Sequence, residues 1–194
     1  WVSDPWAAAV AAVTGAAVGS TSLLSAAEMV DPPVQEAHPV AADRSIARVA
    51  LDLQVLIDDL CGVGAAHEVG ERLRAHGWIE PVIAASTAAR IQAALRGEVG
   101  AEAAGRWDMA TRQLCVINVP RGDQAALAAA YRGGARHLVT DDPAVLTPGA
   151  GATLGPRVGL SVRTPAAFLR VYDPAAAYEA LFGDAYPGPD ADGS

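Results

Sequence analysis

Asp52, Asp123 and Asp142 are the residues whose type and position point to chemistry. Asp52 ends an apolar run in VALDLQVLID, Asp142 follows the stretch HLVT, and Asp123 opens an Ala-rich segment just after LCVINV. In an open parallel α/β sheet, ligands collect outside the C-terminal ends of the strands, near a reversal of strand order. Three carboxylates meeting there repel one another unless a cation lies between them. Mg²⁺ or Mn²⁺ suits that place, because both are hard ions that take oxygen ligands and leave room for water and phosphate. Such an ion activates water for attack on a phosphodiester and stabilises the leaving oxygen. A structural reading stands beside this one. Asp is a favoured helix-cap residue, so Asp123 and Asp142 could each bind free amides at a helix start. Asp52 is harder to explain that way, since a charge within an apolar strand needs a partner or an ion.

The elements that would position these acids alternate along the chain. Strands are predicted over 46–53, 81–84, 114–119, 137–140 and 158–162 from short, continuously apolar runs. Helices are predicted over 55–60, 65–76, 87–95, 123–132 and 165–172, with a short one after Asp142-Pro143. Residues 97–112 are helix-like in Ala content but interrupted by Gly100 and Gly105. This order predicts an α/β domain, three-layer α/β/α with a short, mostly parallel central sheet. The domain division expected is 1–45 as an Ala-rich arm or partner-binding helical segment, 46–183 as the α/β domain, and 184–194 as a flexible tail. In the first part, Asp4-Pro5 makes a helix start, while Asp31-Pro32-Pro33 and His38-Pro39 make an extended connection.

The 194-residue chain is 52% hydrophobic, carries a formal charge of -8, and has a pI near 4.8. An acidic surface does not attract nucleic acid over long range, so RNA binding would need a metal or a local Arg strip. All the basic side chains other than His are Arg. Pro5 to Ala27 holds no charge, but is too rich in Ala, Gly and Ser for a convincing membrane span. Stable membrane insertion is not expected, and a cytoplasmic location is. Cys61 and Cys115 lie far from any ligand partner and read as small buried hydrophobes.

Three segments resemble the PIN-type nuclease family. ALDLQVLID looks like the opening strand of those domains with its Asp, and GDQAALAAAYRGGARHLVTDD looks like their third motif. In that motif an Asp opens an Ala-rich helix, a Gly turn follows, and a strand ends in Thr-x-Asp, here Asp123, Thr140 and Asp142. The closing VGLSVRTPAAFL is similar to the family's last strand, Thr-Pro and helix. The resemblance covers about 120 residues and implies a PIN-like fold. It also implies Asp52, Asp123 and Asp142 as catalytic, metal-ligating residues for Mg²⁺ or Mn²⁺, in a toxin-like ribonuclease.

Two departures count against activity. Gln54 stands where the family often has Asn, and Arg90 stands where it usually has a further acid, commonly Glu. The nearest acids are Glu80, Glu98 and Glu102, with Asp58, Asp59 and Asp141 as other sources of charge; a solvated helix face is expected for Asp58 and Asp59. The alternative function is therefore a catalytically inactive PIN-like module in protein assembly or regulation. In it, residues 1–45, including Trp1 and Trp6, meet a protein partner or a second copy. His137 reads as structural, and no Ser-His-Asp or Cys-His set is found.

Overall fold

The computed structural model describes residues 4–41, 43–120, 124–146 and 159–190. Its centre is a five-stranded parallel sheet of order β3-β2-β1-β4-β5. The strands are β1 (Ser45–Leu51), β2 (Glu80–Ala84), β3 (Cys115–Ile117), β4 (Ala135–Val139) and β5 (Ser161–Arg163). From β1 the chain steps outward to β2 and β3, then returns to lay β4 on the other side of β1. The gap between β1 and β4 is thus the point where strand order reverses.

Helices cover both faces, which gives the three-layer α/β/α arrangement. On one face lie α1 (Pro5–Gly15), α2 (Ser20–Glu28), α3 (Leu53–Leu60), α4 (Gly64–Arg74), α5 (Ala85–Glu98) and α6 (Ala101–Thr111). The same face takes α9 (Pro165–Val171) and α10 (Pro174–Phe182). The other face takes α7 (Ala125–Arg132) and α8 (Pro143–Leu146). Strand alternation sorts the core. Val49 and Leu51 point to the first face, and Ala50 between them points to the second. The second layer is thin because small residues meet: Ala50, Ala84 and Ala135 face Ala126, Ala129 and Ala130 of α7. Gly133 continues that close approach, since a Cβ there would stand 2.7 Å from Val82 Cγ1 and 2.9 Å from the Ala129 carbonyl oxygen.

The helix over 101–111 resolves the ambiguous stretch, with Gly100 serving as its N-cap at φ 129°. One element was not anticipated. α10 starts from Asp173-Pro174, where Asp173 caps Ala175 N–H, and its apolar run lacks the polar spacing that marks a helix on a sequence. Residues 4–28 are packed on the body: Ala9, Val13, Leu23 and Ala27 are wholly buried in the first core layer. Among the described residues no single helix is long and apolar enough to cross a membrane; α1 and α2 reach the required length and composition only together, across a 112° bend.

Candidate functional site

A cleft of about 670 Å³ opens at the reversal point, above the C-terminal ends of β1, β2 and β4. Asp52, Gln54, Asp58, Thr87, Arg90, Asp141 and Asp142 line it, together with Leu24 and Glu28 from α2. Each carboxylate arrives there for a local reason. Asp52 leaves the end of β1 and caps α3, its Oδ1 accepting from Leu53 N–H at 2.6 Å. Its Oδ2 accepts from the hydroxyl of Thr140, which is buried at the end of β4, at 2.6 Å. The same Thr140 oxygen accepts from Asp142 N–H at 3.0 Å. One hydroxyl therefore ties together the two strand ends that flank the reversal. It has used its proton on Asp52 and a lone pair on the Asp142 backbone.

Asp142 then caps α8, its Oδ1 accepting from Ala144 N–H at 2.8 Å. The cap reading of this residue and its place in the cleft are both realised. Gln54 Nε2 donates to Asp58 Oδ2 at 2.8 Å, across one turn of α3, and so steadies a second carboxylate at the rim. Burial raises the pKa of the Asp141 carboxyl, and the neighbouring negative charges of Asp58 and Asp52 raise it further. Asp123 lies outside the described residues.

The counter-charge in the cleft is Arg90, on α5 one turn beyond the buried Thr87. Its Nε is wholly buried and has no hydrogen-bond partner among the described residues. The acids weighed as substitutes at this place are all engaged elsewhere. Glu80 pairs with Arg48 at 2.7 Å, Glu98 accepts from Ser22 Oγ at 3.2 Å, and Glu102 pairs with Arg106 at 2.6 Å. Among the described residues, no three His, Cys, Asp or Glu side chains are grouped so as to hold a metal ion. Glu28 was missed by sequence reasoning, because it belongs to a segment far from every strand end and only the fold of α2 onto α3 and α5 brings it over.

Asp59 corrects the expectation of a solvated helix face. It is 1% exposed and turned away from the cleft, among buried groups. Arg74 Nη1 and Nη2 donate to its two oxygens at 2.7 and 3.1 Å, His67 Nδ1 donates at 3.1 Å, and Trp6 Nε1 donates at 2.9 Å. Desolvation raises its pKa, while Arg74 and His67 pull it down. Trp6 is correspondingly buried, with the Arg74 guanidinium 5.0 Å over its ring, so it makes an internal contact and not an external one. Trp1 lies outside the described residues. His137 is half-buried in the middle of β4, away from the cleft, its ring meeting the stacked rings of Phe168 and Tyr172 at 72° and 82°. Burial, with Arg163 and Arg136 nearby, lowers its pKa to about 4. Cys61 and Cys115 are free thiols, and burial pushes Cys61 up to about 11.

Fold and site together define an α/β protein with an acidic cleft, closed on one side by an Arg, at the topological switch of a parallel sheet. Residues 43–194 match the family of unknown function DUF7384, and the chain belongs to that family. The helices α1 and α2 precede the matched region. No curated protein and no solved structure matches the chain.

Proposed function

We propose that this chain is a PIN-like module whose cleft does not assemble a hydrolytic metal centre and which acts in protein–protein assembly or regulation. The observation that carries the reading is Arg90. A guanidinium with a buried Nε stands in the wall of the acidic cleft, where the resemblance to PIN-type nucleases calls for an acid. A fixed positive charge among Asp52, Asp58, Asp141 and Asp142 partly neutralises them and repels a divalent cation. Replacement of a carboxylate ligand by a cation removes an oxygen donor as well. The global charge of -8 gives no compensating attraction for RNA.

A second reading is supported by one specific feature. Asp52 and Asp142 both line the cleft at the reversal point, their strand ends tied through Thr140, and the resemblance makes them ligands, with Asp123, of a Mg²⁺- or Mn²⁺-dependent ribonuclease. One experiment separates the two. On the assembly reading, millimolar Mn²⁺ leaves the melting temperature of the full chain unchanged and structured RNA stays intact. Arg90→Glu then gains a Mn²⁺-dependent rise in melting temperature that Asp52→Asn removes. A Mn²⁺ shift in the wild-type chain, abolished by Asp52→Asn and accompanied by RNA cleavage, would overturn the reading in favour of the nuclease.

A further inference from the structure

The first turn of α5 is left without an anion. No side chain caps it and no acid stands in it, so the positive end of the helix dipole has no counter-charge from its own sequence. Ser86 and Thr87 of that turn lie four and three residues before Arg90, on the face over which a long helical side chain runs back. Thr87 is 5% exposed and lines the cleft, yet its hydroxyl has no hydrogen-bond partner among the described residues. Arg90 likewise makes no hydrogen bond or ion pair with a described residue, although carboxylates share its cleft. Donors held out of water with nothing to donate to are costly, and a ligand that accepts from them recovers that cost. Two unspent side-chain donors on the open N-terminus of one helix make the donor set for a carboxylate.

The surroundings of Arg90 narrow the ligand further. A second hollow, of about 150 Å³, shares Arg90 and Ala125 with the cleft, so the guanidinium stands between the two. Ser86 and Asn118 are polar groups in it, and Pro32, Pro33, Val34, Val119 and Pro120 give it apolar walls. Asp31, which also lines it, has a partner of its own. A cavity of that size holds about six carbon atoms. On the other side the cleft is acidic. Asp52, Asp58 and Asp142 already accept hydrogen bonds, while Asp141 and Glu28 have none among the described residues. Asp141 is the one pressed by like charges, from Asp58 and Asp52. A bare anion approaching Arg90 is repelled by these acids, and a bare cation approaching the acids is repelled by Arg90. A molecule that carries both signs escapes both penalties.

We infer that the cleft and its side hollow bind a small aliphatic α-amino acid, with its carboxylate on Arg90 and the first turn of α5, its ammonium on Asp141, and its hydrocarbon side chain in the 150 Å³ hollow. The inference rests on reading the cleft as free of a hydrolytic metal, because a divalent ion at the acids would take the ammonium's place. It supplies the regulatory part of that reading with a signal, the free amino acid. Three separate points of attachment around one tetrahedral carbon also make the site selective for one enantiomer.

Calorimetric titration of the full chain with L-valine, in EDTA and at low ionic strength, is the test. L-Valine gives saturable binding. Three analogues, 3-methylbutanoate without the ammonium, 2-methylpropylamine without the carboxylate, and D-valine with its groups misplaced, bind about tenfold more weakly or worse. Arg90→Gln lowers the affinity for L-valine about tenfold or more, and Thr87→Val, which keeps the shape of a buried side chain, lowers it by less. Asp141→Asn is a change at an exposed residue, and it weakens L-valine while tightening 3-methylbutanoate. Damage to the fold cannot produce that opposition. The inference is overturned by any of four results: no saturable heat with millimolar L-valine, an analogue that binds as tightly as L-valine, undiminished binding in Arg90→Gln, or Asp141→Asn shifting both ligands in one direction. A Mn²⁺-dependent rise in melting temperature with RNA cleavage would sink the metal-free reading of the cleft. The titration in EDTA is read without any metal and so reports on the amino-acid site separately.

Discussion

Asp58 and Asp59 are chemically equal neighbours with opposite surroundings, and the contrast decides how each responds to mutation. Asp59 is a buried anion held by three side chains, so Asp59→Ala leaves Arg74 buried without its partner and should cost about 3 kcal/mol in urea unfolding. Thr140→Val is the corresponding change in the cleft. It keeps the volume but removes the donor to Asp52 and the acceptor for Asp142 N–H, and about 1–2 kcal/mol of stability should go with them. His137 carries a pH signature. Its pKa is near 4 in the folded chain against an ordinary 6.5, so between those values the unfolded chain binds the proton that the folded one refuses. Stability from this group therefore declines as pH falls from 6.5 toward 4. Urea titrations at intervals across that window should show a shallower decline in His137→Leu than in the wild-type chain.

At the scale of elements, glycines in helices separate propensity from packing. Gly105 lies inside α6 with nothing within 4 Å of where a Cβ would sit, so Gly105→Ala should stabilise by about 1 kcal/mol through helix propensity. Gly70 lies inside α4, and a Cβ there would stand 2.1 Å from Asp59 Oδ1. The same substitution at Gly70 should lower the melting temperature, because the added carbon occupies the place of the buried carboxylate. Paired thermal melts read the opposite signs directly. The periodicity of α4 is plain from its sequence, but only the packing of α3 against it makes Gly70 obligatory. Likewise the Ala-rich stretch 125–132 reads as a helix, whereas the reason for its small side chains is the close approach to Ala50 and Ala84. α10 escaped sequence reasoning because its apolar residues follow no helical stripe.

For the whole molecule, charge and topology pull the cleft in different directions. The strand order brings Asp52, Asp141 and Asp142 to one edge, and α2 and α5 then add Glu28 and Arg90. The result is five carboxylates around one guanidinium in a chain of net charge -8. Self-repulsion in that cleft is relieved by screening, so added NaCl should raise the melting temperature of the wild-type chain more than that of Asp141→Asn. A larger salt effect in the variant would mean that the cleft is not where the repulsion lies. The sequence by itself determined the alternation of strands and helices, the parallel three-layer architecture, and the two strand ends that carry Asp52 and Asp142. These follow from local patterns, since apolar runs and helix starts are written in neighbouring residues. The tertiary structure alone decided that Trp6 turns inward onto Asp59, that Glu28 crosses to the cleft, and that Glu80, Glu98 and Glu102 stay away while Arg90 remains in its wall. Those outcomes depend on which helix faces meet, a long-range matter of packing and desolvation that no short window of residues contains.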